Sequence, residues 1–147
     1  QMCIRDRVSF RTHVENGSMF NTPPVFPIYV LMETLRWLKS IGGVPEIYRR
    51  NKEKAALLYD EIDRNPLFRG TVDKQDRSLM NICFVMADGY EELAPEFMEF
   101  TKGRGIVGIK GHRLVGGFRA SCYNALPKES VEVLVECMRE FAAKHAK

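Results

Sequence analysis

The sequence has no clustered cysteines, no long apolar run and no strong charge of either sign, and each absence excludes something. Cys3, Cys83, Cys122 and Cys137 are scattered, without Cys-x-x-Cys spacing or Cys/His pairing, so neither a zinc site nor a disulfide framework is expected. A reducing, cytoplasmic setting fits that usage. No apolar stretch approaches the ~20 residues of a membrane helix, and no signal-peptide pattern precedes the body. The net charge of +3 is small and dispersed, which argues against nucleic acid as a partner. Internal repeats and low-complexity tracts are also missing.

What is present is ordinary for a globular protein. The 147 residues are 45% hydrophobic and 28% charged, enough for one compact core. The opening "QMCIRDR", Gln1 to Arg7, looks like a translated sequencing adapter and is set aside. Val8 to Val14 suits a short strand or a connector. Glu15 to Pro24 is a loop of turn formers, in which Asn21 or Thr22 can cap the next helix. That helix carries Ile28, Leu31, Met32, Leu35 and Leu38 at three-to-four spacing and stops at Gly42-Gly43. A second helix is predicted from about Pro45 to Arg64, with Ile47, Ala55, Leu58 and Ile62 inward.

Strands are predicted over Phe68 to Val72 and Leu79 to Met86, then a helix over Asp88 to Lys102 with Pro95 in its first turn. A short strand over Ile106 to Ile109, a glycine-rich stretch and a strand over Phe118 to Cys122 follow. Pro127 opens a last helix, with Val131, Leu134, Val135, Met138 and Phe141 on one face. Strands covered by helices on one face make an α+β lobe.

The stretch "KGHRLVGGFRAS", Lys110 to Ser121, sets two arginines and a histidine among three glycines. Glycines allow sharp turns and close approach, and arginine offers a planar fork suited to carboxylate or phosphate. On pattern alone two readings stand for each residue. Arg119, inside an apolar strand, is either salt-bridged internally or a clamp for a ligand carboxylate. His112 and Arg113 are either a solvated basic turn or an anion site. His13 and His145 are isolated and expected at the surface.

"NGSMFNTPP" at Asn16 to Pro24, "WLKSIGG" at Trp37 to Gly43, "KGHR" and "VGGFRAS.YNA", in that order, resemble the phosphoserine aminotransferase family. This resemblance extends over nearly all of Val8 to Lys147. It implies an α/β fold class, the α+β C-terminal lobe of a fold type I enzyme dependent on pyridoxal phosphate (PLP), preceded by a long interdomain helix. Residues 8–43 would then be the end of the large PLP-binding domain with its linking helix, and 44–147 the small domain. Asn21 and Thr22 match the pair that reaches across a homodimer interface to the cofactor phosphate. Arg119 matches the arginine that holds the substrate α-carboxylate, and His112 and Arg113 match the residues that hold the distal anion. The implied substrates are L-glutamate and 3-phosphohydroxypyruvate, giving 2-oxoglutarate and O-phospho-L-serine in serine biosynthesis. A related activity on 4-phosphohydroxythreonine would serve pyridoxine biosynthesis.

The sequence also departs from that pattern. The family's Schiff-base lysine, the aspartate at the pyridine nitrogen and the aromatic residue stacked on the ring all precede the NTPP loop. Lys39, Lys52, Lys54 and Lys110 do not match that lysine, so no catalytic residue is assigned. The chain is therefore read as a fragment that is inactive alone. Two other readings remain: another class V aminotransferase of the alanine–glyoxylate or serine–pyruvate type, which has less need of the cationic GHR loop, and a non-catalytic anion-binding module.

Overall fold

The computed structural model describes residues 8–113 and 116–145. The adapter reading of Gln1 to Arg7 falls outside the described residues, as do Leu114 and Val115 of the glycine-rich stretch. The chain forms two compact units, divided between Gly43 and Val44.

The first unit holds helices α1 (Phe10–Glu15) and α2 (Val25–Ser40). The expected strand or connector at Val8 to Val14 is thus replaced by a helical turn and a half. It ends where Asn16 Nδ2 donates to the Thr12 carbonyl and where Gly17 and Ser18 adopt left-handed backbone. Neither Asn21 nor Thr22 caps α2. Its flanking residue is Pro24, without a side-chain cap, and Pro27 occupies the first turn. Ile28, Leu31, Met32 and Leu35 have the predicted helical spacing, yet α2 contains no buried residue. Phe26 is 75% exposed and Leu31 57%. This helix is periodic without having a core to face.

The second unit has its own core. Helix α3 (Gly43–Arg64) leads to strand β1 (Phe68–Gly70), a 3-10 turn (Lys74–Asp76) and strand β2 (Asn81–Met86). A second 3-10 turn (Glu91–Leu93) precedes α4 (Ala94–Gly103), so the helix expected from Asp88 begins six residues later, with Pro95 in its first turn. Strand β3 (Phe118–Ser121) and helix α5 (Lys128–His145) complete it. The expected strand at Ile106 to Ile109 is not one. Only a single bridge, Lys110 to Phe118, joins that segment to β3.

The sheet has the order β1-β2-β3 and is antiparallel throughout. Alternation along each strand buries one face: Phe68; Ile82, Phe84 and Met86; Phe118 and Ala120. That face packs on Leu58 and Ile62 of α3, Phe97 of α4 and Val131, Leu134, Met138 and Phe141 of α5. Phe97 stands at the centre, with ring centroids 4.8 Å from Phe68, 5.2 Å from Phe118 and 5.2 Å from Phe141. Such contacts hold both ends of the sheet on the helices, and truncating a phenylalanine in this setting costs about 3–5 kcal/mol. His145 stacks on Phe141 at 4.3 Å and is therefore not isolated.

Three polar residues of α3 are buried beside the predicted apolar positions: Asn51, Lys54 and Glu61. Glu61 ties α3 to α5, receiving hydrogen bonds from Arg139 Nε at 2.8 Å, Asn65 Nδ2 at 2.9 Å and Arg64 Nε at 2.8 Å. Asn65 in turn donates to the Met138 carbonyl and accepts from the Leu67 amide, which turns the chain out of the helix into β1.

Burial pushes the Glu61 carboxyl up, but the bonds from Arg139, Asn65 and Arg64 outweigh it and hold the group below the ordinary value of 4.5. A carboxyl depressed by folding stabilises the fold above its unfolded value and loses that contribution as pH falls through the lower folded value. The stability difference between wild type and Glu61→Gln, measured by urea denaturation, should therefore be constant above about pH 6 and shrink steadily below pH 4.5. A difference that grows on acidification would contradict the sign.

Candidate functional site

With Phe118 and Ala120 buried, Arg119 is forced to the opposite face of the sheet. It is exposed there, in register with Cys83 of β2. Because the arginine is not sunk in the apolar layer, the desolvation problem expected from its sequence neighbours does not arise. Its amide donates to the Ile109 carbonyl at 2.7 Å, so the backbone of the residue is fixed while its side chain is open.

The glycine-rich stretch turns back on itself through two further backbone bonds. Gly111 N–H donates to Gly117 O at 2.8 Å, and Gly116 N–H donates to His112 O at 2.7 Å. Two of the glycines are required by close approach. A Cβ on Gly111 would lie 2.0 Å from the Gly116 carbonyl oxygen. One on Gly117 would lie 2.6 Å from the Phe84 oxygen and 2.6 Å from Val85 Cγ1, and Gly117 also has φ +61°. His112 and Arg113 are exposed on this connection. The hairpin therefore carries His112 and Arg113 near its turn and Arg119 on its returning strand.

The charges of the unit sort into two kinds. Arg49, Arg50, Arg64, Arg69, Arg77, Arg104 and Arg139 each pair with a carboxylate. Arg113 and Arg119 pair with none among the described residues. This decides against the internal salt bridge for Arg119. Arg119 also lines a cavity of about 400 Å³, with Gly108 and Ile109 on one side and Ser121, Ser130 and Leu134 on others. A guanidinium with no internal anion, beside an open cavity, is suited to an external one.

Behind the end of β3 lies a feature that the sequence pattern did not single out. Lys54 of α3 is only 2% exposed, and its Nζ donates to the carbonyls of Tyr123 at 2.7 Å, Leu126 at 3.0 Å and Cys122 at 3.4 Å. Burial lowers the basicity of this amine from the ordinary lysine value. Asn51, three residues earlier, donates from Nδ2 to Asn124 Oδ1 at 2.8 Å. Lys54 and Asn51 lie at i and i−3 on a helix whose inner face is otherwise apolar apart from Glu61. That spacing was the available signal, but the acceptors lie about seventy residues away in sequence.

In the first unit, Asn21 and Thr22 are exposed in the loop that leads into α2. The Asn21 carboxamide and the Thr22 hydroxyl each supply a hydrogen-bond donor, and neither is used as a helix cap.

The chain belongs to the aminotransferase class-V family, whose model matches residues 2–134. More particularly, it is 63% identical over 143 residues to a phosphoserine aminotransferase of Phocaeicola vulgatus, a match covering 97% of this chain and 40% of that protein. A solved phosphoserine aminotransferase from Bacillus circulans subsp. alkalophilus superimposes with a TM-score of 0.87 at 45% identity, over 96% of this chain and 39% of that one. A PLP-bound phosphoserine aminotransferase from Trichomonas vaginalis gives 0.80 at 42% identity, over 88% of this chain and 37% of that one. The chain thus spans about 40% of the length of the curated relatives it matches.

The tight hairpin base can be tested with two glycines. Gly116 has φ +74° but nothing within 4 Å of a Cβ, whereas Gly117 combines a positive φ with contact to Phe84. Gly116→Ala should lose only the backbone part, about 1–2 kcal/mol. Gly117→Ala should lose clearly more and shift the amide resonances of Phe84 and Arg119. Equal losses in urea denaturation would remove the argument from close approach.

Proposed function

We propose that this chain supplies the substrate-anion contacts of a PLP-dependent phosphoserine aminotransferase. The reaction transfers an amino group from L-glutamate to 3-phosphohydroxypyruvate, giving 2-oxoglutarate and O-phospho-L-serine. The observation that carries the reading is the pair of arginines with no carboxylate partner among the described residues, Arg113 and Arg119, set on one glycine-pinned hairpin in a member of an aminotransferase family.

Arg119 is the residue for the α-carboxylate. Its fork binds both oxygens of a carboxylate at once, which fixes the orientation of the amino acid as well as its affinity. The fixed amide of Arg119 and its exposed side chain suit that task. His112 and Arg113 take the distal anion, a phosphate or a γ-carboxylate. A cationic turn that recognises charge more than shape serves both donors of the two half-reactions.

The cofactor fits the chain at one end only. Asn21 and Thr22 offer an amide and a hydroxyl donor for its phosphate, across the interface of a homodimer. When bound, PLP supplies the electron sink for the carbanion formed at the substrate Cα. Lys54 is unsuited to covalent attachment, because its amine is buried and committed to three carbonyls. Catalysis on this reading needs the lysine that the family carries before the NTPP loop. The setting we infer is cytoplasmic; no described helix is long and apolar enough to cross a membrane.

Two measurements check this function. In the enzyme that joins this chain to the upstream region of its relatives, Arg119→Lys keeps the charge but loses the fork. It should lower kcat/KM for every amino donor by at least about tenfold, the worth of one charge-assisted bond. Arg113→Ala should penalise glutamate and O-phosphoserine by a similar factor while sparing alanine, which has no distal anion. Equal losses for all three donors in the Arg113 variant would sink the division of labour.

The second measurement uses the 147-residue chain itself. Two phosphate contacts at about 0.5–1.5 kcal/mol each do not offset the cost of immobilising a cofactor. After incubation with PLP and desalting, no stoichiometric PLP absorbance should remain. Borohydride trapping at one unique lysine would overturn the assignment of catalysis to the upstream region.

A further inference from the structure

We propose that Lys54 is a positioning residue for the carboxylate-binding strand: its buried ammonium gathers the carbonyls of Cys122, Tyr123 and Leu126 and thereby fixes the end of β3 just beyond Arg119. The inference rests on the reading of Arg119 as the α-carboxylate residue. It assigns a role to a side chain that itself touches no substrate.

Three observations carry it. First, the ammonium is buried in unusual company. Lys54 is only 2% exposed, and no carboxylate pairs with it among the described residues. A buried charge without a counter-ion is costly unless its donors are all used, and an ammonium has three. Three carbonyls meet it.

Second, those carbonyls fall within five consecutive residues that begin directly after β3, three positions beyond Arg119. The Cys122 amide is held from another side, by the Met80 carbonyl at 2.7 Å. The segment that follows Arg119 is thus tied to α3 and to the start of β2, while the Arg119 amide itself is tied to Ile109. Third, α3 repeats the device one turn earlier, where buried Asn51 bonds Asn124 of the same segment.

If Lys54 served only to hold the fold together, its loss would lower stability and leave the affinity of the folded protein for dicarboxylates unchanged. If it positions Arg119, its loss weakens anion binding, and the effect depends on Arg119. The experiment uses the full-length holoenzyme. Glutarate, a dicarboxylate that lacks the amino group and cannot react, is the binding probe, and the KM and kcat for glutamate are read alongside.

Lys54→Met should raise the glutarate Kd and the glutamate KM about tenfold, with kcat within about threefold of wild type. Lys54→Gln keeps two N–H donors and should restore part of the loss. In an Arg119→Lys background, Lys54→Met should change the Kd by less than twofold, because the group it positions is already gone. Fully additive losses, or an unchanged Kd in Lys54→Met, would overturn the proposal. So would failure of both Lys54 variants to yield folded enzyme, which assigns the residue to folding alone. An Arg119→Lys variant with wild-type glutarate binding would instead overturn the underlying reading of Arg119, and this proposal with it.

Discussion

Phe118 and Ala120 lie in the core, and a strand that buries two residues two apart must present the residue between them to the other face. The candidate site depends on this alternation. Phe118 packs edge-on against Phe97 at 5.2 Å and lies 5.1 Å from Phe84, so its side of β3 cannot be reversed without dismantling the aromatic centre of the unit. A slip of one residue in the β2–β3 register would bring Arg119 into the aromatic layer and Phe118 out to solvent. The core therefore specifies which face of the sheet carries the guanidinium.

The hairpin before β3 depends on the same register. Gly117 approaches Phe84 so closely that no side chain fits, and Phe84 is the residue opposite Phe118 across the sheet. The hairpin that carries His112 and Arg113 thus meets β2 at Gly117, with the Gly111–Gly117 bond pairing its two arms. On the function proposed above, long cationic side chains could adapt to two anions of different shape from one such hairpin.

Much of this was legible in the sequence, and the limits are physical. Helices α3 and α5 could be read because Ala55, Leu58 and Ile62, and Val131, Leu134 and Met138, repeat with the helical period and face one core. The close approach of the glycines could be read from residue types, whereas Arg113 and Arg119 stood between two readings on pattern alone and took their expected roles from the family resemblance. Three features could not. Val8 to Val14 is too short for periodicity to separate helix from strand, and it folds as α1. Ile106 to Ile109 has strand-forming residues but forms no strand, and the single bridge beside it belongs to Lys110, because pairing depends on a partner and not on propensity. Asn51, Lys54 and Glu61 look like the solvated side of a helix, and they are buried because of partners such as Asn124, Tyr123 and Arg139 that are distant in sequence.

The choice of partners for Lys54 has an electrostatic consequence for the neighbouring site. A buried lysine is most often met by a carboxylate, and here three carbonyl oxygens take that place. Strand geometry puts Cys122 about 10 Å from Arg119 along the chain, within the range over which charges act in a partly buried setting. A carboxylate at that point would add a negative charge within the field of the guanidinium and weaken its pull on a ligand anion. Carbonyl dipoles satisfy the ammonium without adding net negative charge near Arg119. The same logic separates Arg119 from Arg77 and Arg104, which are held by Asp63 and Glu140 and contribute little unscreened charge.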